Sequence, residues 1–163
     1  MTLKTLIFTL AAAVALIPST AVAQNFVGGP GIAISGSATQ EQLPARARQF
    51  LGKFYKDVPQ TSIERDFDDN VYEVDLANGV EIHFGPAGQV IGIEADDLSA
   101  TLSPQVVKAL LPEKAYKDLQ MSNLEDMVDE IEFRKGKLVE LSMRNVNETK
   151  YSYDITEATW QLL

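Results

Sequence analysis

The stretch IERDFDDNVYEVDLANGVEIHFGPAGQVIGI, running from Ile63 to Ile93, decides the fold. Within it Val71 to Leu76 and Val80 to Phe84 alternate apolar and polar residues with a period of two, the pattern of strands buried on one face. Asn78-Gly79 between them predicts a tight hairpin with a type I′ turn, because both central positions of that turn need positive φ. Gly85-Pro-Ala-Gly88 marks the next turn and Gln89 to Glu94 a further strand, while Thr61 to Phe67 supplies one in front. The stretch thus reads as a four-stranded antiparallel meander with Ile63, Phe67, Tyr72, Val74, Leu76, Ile82, Phe84 and Ile93 on one face.

A sheet that buries one face needs a cover. Immediately upstream, Leu43 to Val58 places Leu43, Ala47, Phe50, Leu51, Phe54, Tyr55 and Val58 at helical spacing. Pro44 fits the first turn, Pro59 stops the helix, and Arg46, Arg48, Lys53 and Lys56 form its wet face. Downstream the plan recurs. Ser103-Pro104 opens a helix carrying Val106, Val107, Leu110 and Leu111, Pro112 breaks it, and Glu113 to Leu119 adds another turn or two. Tyr55-Lys-Asp-Val58 reappears as Tyr116-Lys-Asp-Leu119. Strand-like pieces follow at Glu130 to Phe133, Leu138 to Met143, Thr149 to Ile155 and Thr159 to Leu163. Ser122 to Val128 reads two ways, as a capping box opening a helix or as a lead into a strand from about Val128. The expected fold class is α+β: two tandem units, each a helix or broken helix packed on a four-stranded antiparallel meander sheet, about 43–98 and 102–163, forming one domain over 43–163.

The same residues carry a family resemblance. Leu43-Pro44 opening a helix, an Ile63-Glu64 strand, Tyr72-Glu-Val-Asp-Leu76, the Asn78-Gly79 turn, Glu81-Ile-His-Phe84 and a glycine before the last strand occur in order. This arrangement resembles the PepSY-like family related in fold to β-lactamase inhibitor protein, found in exported proteins of Gram-negative bacteria. The match is good over Leu43 to Asp97 and poor over Leu102 to Leu163. The resemblance implies a tandem α+β fold, an envelope location and a non-enzymatic role in binding or inhibition.

The N-terminus predicts export. Lys4, an apolar run from Leu6 to Ile17 and the small-x-small end of Thr20-Ala-Val-Ala23 have the form of a signal peptide cleaved after Ala23. The apolar run falls short of the ~20 residues of a membrane span, and no cysteine follows it to take a lipid anchor. A periplasmic or secreted protein is expected, with residues 24–42 as a flexible Gly/Ser-rich lead-in and Gly31 to Ile34 as a candidate edge strand.

Composition removes whole classes of chemistry. Among 163 residues there is no cysteine and one histidine, with 23 acidic against 14 basic side chains. That excludes disulfide scaffolds, zinc-thiolate and iron–sulfur sites and thiol nucleophiles. The acidic balance argues against phosphate-backbone binding. Lys4 is the only charged residue among the first 23, so cleavage would take the net charge from −9 to −10. Serine hydrolysis lacks its nucleophile elbow and no glycine loop fits a phosphate cradle. Asp66-Phe-Asp-Asp-Asn70 opens like a calcium loop but has Val71 and Ala77 where the glycine and closing glutamate belong, so it reads as an acidic turn. No enzyme activity, cofactor or resident metal is expected.

Charge placement is the remaining signal. Glu64, Asp66, Glu73, Asp75, Glu81 and Glu94 share the strand parity opposite to the apolar set, and His83, between Ile82 and Phe84, points the same way with no partner in view. From Glu64 to Asp97 there are ten acidic residues and one basic one, Arg65. Two readings stand side by side: a solvated face that keeps the protein soluble, or an acidic docking face for a protein partner with a basic surface. The alternative function is a small-molecule or divalent-cation binding module. Tyr151, Tyr153 and Trp160 read either as aromatic anchors for a partner or as core.

Overall fold

The computed structural model describes residues 35–95, 101–135, 137–144 and 149–163. The expected signal peptide, the candidate strand Gly31 to Ile34, and Asp96 and Asp97 lie outside the described residues. Among the described residues nine strands follow one another in space in the order of the chain: β1 (Ser35–Ser37), β2 (Gln60–Asp66), β3 (Val71–Leu76), β4 (Val80–Phe84), β5 (Val90–Ala95), β6 (Val128–Arg134), β7 (Leu138–Met143), β8 (Thr149–Asp154) and β9 (Thr159–Leu162). Each is antiparallel to its neighbour. The α+β class stands. The expectation of two meander sheets is corrected to a single open sheet, because β5 pairs with β6 through Gly92–Glu132, Ile93–Ile131 and Glu94–Glu130. Two separate meanders would leave two further rows of unpaired backbone groups next to the core; joining them satisfies those groups.

Among the described residues three helices, α1 (Ala45–Phe54), α2 (Pro104–Leu110) and α3 (Glu113–Met121), accompany the sheet. Leu51, Val107 and Leu119 from the helices pack in one core with Val74, Ile82, Phe84, Ile93, Ile131, Leu141 and Tyr153 from the strands. The first helix is shorter than its periodicity predicts. Pro44 caps it instead of entering it, and the chain leaves helical geometry at Tyr55, whose N–H still donates to the Leu51 carbonyl at 2.8 Å. Val58 is held out of the α region by Pro59 but still packs against the core. Ser103 caps α2, its hydroxyl accepting from the Val106 N–H. Ser122 to Met127 forms turns, and the strand begins at Val128, so the capping-box helix does not form.

Three local expectations change. Part of the expected lead-in is regular structure ahead of the helix: β1 pairs with β2 and a 3-10 turn covers Gln40–Gln42. The hairpin between β3 and β4 has a three-residue loop in which Gly79 alone takes positive φ, 77°, and donates to the Leu76 carbonyl at 3.0 Å. That is a type I turn closed by a left-handed glycine, and it leaves Asn78 unstrained. Phe67 ends in the turn after β2, 47% exposed, its ring over Gly36 of β1 and under the Arg65 guanidinium.

An ionic clamp ties the two halves of the sheet together. Just after β7, Arg144 Nη2 donates to the Ala95 carbonyl at the end of β5 (2.9 Å), and its Nε lies 3.3 Å from Asp129 Oδ2 on β6. The Asp129 side chain is 15% exposed, so its charge needs this partner.

Candidate functional site

Strand register builds the site. With the buried apolar strand residues facing the helices, the alternate positions line up in rows across the open face. One row runs Glu64, Glu73, His83, Gly92, Glu132, Glu140 from β2 to β7. The next runs Asp75, Glu81, Glu94, Glu130 from β3 to β6. Carboxylates therefore stand directly opposite carboxylates at Glu64–Glu73, Asp75–Glu81, Glu81–Glu94, Glu94–Glu130 and Glu132–Glu140. Like charges in that position destabilise a sheet. Arg65, the one basic residue of the acidic stretch, has the other parity and stacks over the Phe67 and Tyr72 rings, so it does not face these groups.

Of the residues expected on this face, Glu64, Glu73, Asp75, Glu81, His83 and Glu94 are brought together. Asp66 is not part of the cluster. Its Oδ1 accepts the backbone N–H groups of Asp68 (2.8 Å) and Asp69 (3.4 Å) and serves the turn, as the composition of that segment suggests. His83 does have partners. Its Nε2 lies 2.6 Å from Glu81 Oε1, and Glu73 stands opposite across the hairpin. Ligand atoms of Glu73, Glu81 and His83 all fall within 4.8 Å of one another, a spacing that suits a shared cation.

Beside this trio lies a shallow cavity of about 310 Å³ walled by His83, Glu94, Glu130 and Glu132, with Gly92 in its floor. A Cβ at Gly92 would sit 3.7 Å from the His83 side chain, an ordinary contact, so the glycine opens space and no clash demands it. Burial holds the Glu73 carboxyl above the usual carboxylate range, and Glu81, Asp75 and Glu64 add to the shift while His83 opposes it. A cation placed here would relieve that repulsion.

Sequence reasoning missed Glu130, Glu132 and Glu140, which extend the acidic rows into the second half. Their alternation with Ile131, Phe133, Val139 and Leu141 was the available signal. The cations of that half answer them locally. Arg134 pairs with Glu132 and, at 3.0 Å, with Glu140, and Lys150 Nζ lies 3.3 Å from Glu130. Of the aromatic set, Tyr153 is core, while Tyr151 and Trp160 are half-buried against it; the Trp160 ring packs tilted on Tyr153 and its N–H donates to Asp118 Oδ2 at 3.2 Å.

Comparisons with known proteins speak to the fold. No family model matches the chain, and no curated protein matches it. Among solved structures it is similar to a protein of unknown function from Bacteroides vulgatus, provisionally described as periplasmic (21% identity, TM-score 0.61, 80% of this chain and 98% of that one). A second is a protein from Bacteroides thetaiotaomicron provisionally described as calcium-regulated and periplasmic (22%, TM-score 0.60, 79% and 94%). A third is a protein of the DUF2874 family from Bacteroides vulgatus, also provisionally described as periplasmic (19%, TM-score 0.61, 79% and 94%). At these identities the likeness establishes a shared architecture. Among the described residues no helix is long and apolar enough to cross a membrane.

Proposed function

We propose that this is an exported, non-enzymatic binding protein of the bacterial envelope whose acidic open sheet face receives a protein partner with a basic surface, with inhibition of that partner as one form the binding can take. The observation that carries the reading is the row of carboxylates facing carboxylates across β2 to β5, whose repulsion a cationic surface would offset. The signal-peptide pattern of residues 1–23 and the periplasmic descriptions of the structural neighbours support the location. The test is affinity capture of the mature protein's partner from its own envelope at low and moderate salt. Glu73→Lys, Asp75→Lys and Glu81→Lys together are expected to abolish capture while far-UV circular dichroism stays native. Capture that survives the triple reversal would sink the docking-face reading.

One observation favours a second reading, a divalent-cation module. Glu73, Glu81 and His83 converge, and a structural neighbour is provisionally described as calcium-regulated. Hard Ca²⁺ prefers an all-oxygen shell, whereas imidazole with two carboxylates suits Zn²⁺. A thermal-shift series with Zn²⁺ and Ca²⁺ tests it: a rise in melting temperature abolished by His83→Ala supports the trio, and a flat series removes it.

A further inference from the structure

The other face of the β5–β6 seam carries a different cavity. A groove of about 420 Å³ runs between α1 and α2, floored by Val90 of β5 and Phe133 of β6. Its α1 wall is Arg46, Gln49, Phe50, Lys53 and Phe54, spaced so that they share one helical face, and Leu110 of α2 stands opposite. Phe50, Phe54, Val90, Leu110 and Phe133 are all half-buried, so five large apolar side chains turn into the same groove without closing it. The volume falls within the ~300–1,000 Å³ of small-ligand sites.

Its charge is the reverse of the protein's. The chain carries 23 acidic residues, yet among the described residues no carboxylate lines this groove, and the two charged groups that do are Arg46 and Lys53. Neither has an ion-pair partner among the described residues; Lys53 Nζ lies 4.7 Å from the Phe54 ring centroid. An apolar trough with two exposed cations on its rim suits a ligand with an apolar body and an anionic head. We infer that the α1–α2 groove binds a small amphipathic carboxylate, the aliphatic or aromatic body over Phe50 and Phe133 and the carboxylate between Arg46 and Lys53. This site is separate from the acidic sheet face and does not depend on the function proposed for it.

The probe is decanoate, kept below its micelle concentration and titrated calorimetrically into the full mature chain, with decanol as the neutral control. Two variants report on the groove: Arg46→Gln with Lys53→Gln, which removes exposed charges, and Ala109→Phe, which fills the groove from an exposed position on α2. Saturable one-to-one binding of decanoate is expected, weakened at least tenfold in each variant, with decanol weaker than decanoate. Glu73→Lys with Glu81→Lys, on the opposite face, is expected to leave decanoate binding unchanged, so a failure of the acidic-face reading and a failure of this one are distinguishable. Absence of saturable binding to the native chain, a groove variant that binds decanoate as tightly as the native chain, or equal affinity for decanol would each overturn the inference.

Discussion

The first and second halves of the sheet are built alike and charged differently. In β2 to β5, Glu64, Glu73, Asp75 and Glu81 face one another, and His83 is the only basic side chain among them. In β6 to β8, Glu130, Glu132 and Glu140 occupy equivalent rows, but Lys150 and Arg134 answer them. The second half answers its open-face carboxylates with cations of its own, as a stability-driven surface should. The first half leaves repulsion in place, which is what a surface kept for an external cation looks like. The contrast has force because both halves share one core, so it cannot be laid to one half being loosely folded.

The largest test bears on that shared core. Ile82 and Leu141, one from each half, are both almost wholly buried. Ile82→Ala and Leu141→Ala should each cost about 2–5 kcal/mol, the usual range for large-to-small changes in a packed core. Urea unfolding of both variants should stay a single transition with an unchanged slope. Two transitions in Leu141→Ala would split the sheet into independent units and break the comparison.

The seam comes next. Arg144→Met removes the guanidinium that joins Ala95, Asp129 and the end of β7, leaving a carboxylate with 15% exposure unpaired. A loss of about 2 kcal/mol is expected, below the full cost of breaking a deeply buried pair because solvent reaches part of this one. Asp129→Asn with Arg144→Met should recover part of it. A double variant no better than Arg144→Met would mean the clamp acts through packing and not charge.

The seam is also where sequence reading ran out. Alternation in β3 and β4 showed which residues point together, because that parity is a local property of an extended chain. It also held more than was taken from it. A hairpin centred on Asn78 puts Glu73 opposite His83, so the histidine's partners were legible from turn position and parity together. The pairing of β5 with β6 was not legible, since the intervening segment holds two helices and local periodicity says nothing about which distant edge a strand will join. From that pairing come the extension of the acidic rows to Glu130 and Glu132, the Gly92 cavity and the groove between the helices. The turn around Phe67 failed for a smaller reason: Asp66 accepts the N–H groups of Asp68 and Asp69, and the strand ends one residue early.

Charge deletion should have opposite signs in the two halves. Glu73→Gln removes a carboxylate crowded by Glu64 and Glu81, and should stabilise the protein by about 0.2–1 kcal/mol, the usual worth of cross-strand pairs. Arg134→Gln leaves Glu132 and Glu140 facing each other without their cation and should destabilise it. Both effects should shrink in added salt, since these groups are partly exposed. The same sign for both substitutions would mean the first half is no more crowded than the second.

The smallest expected effect is in pH dependence, and its sign differs between the halves. Glu73 titrates above the ordinary glutamate value of 4.5, chiefly through burial and then through Glu81. Between 4.5 and its raised value the folded chain therefore holds a proton that the unfolded chain has lost. Stability gained from this group rises as pH falls through that interval and is lost as pH climbs out of it. Asp118 on α3 behaves in the opposite sense. The Lys114 hydrogen bond, aided by the Trp160 N–H, holds its carboxyl below the ordinary aspartate value of 3.8. Its contribution is present above 3.8 and disappears as pH falls through the lowered folded value. Urea midpoints measured from about pH 3 to about pH 7 should therefore separate the two. Glu73→Gln should flatten the profile on the alkaline side of 4.5, and Asp118→Asn only on the acid side of 3.8. A Glu73→Gln profile parallel to that of the native chain would show that solvent already screens the crowded face. The repulsion on which the acidic-face reading depends would then be too small to favour any partner.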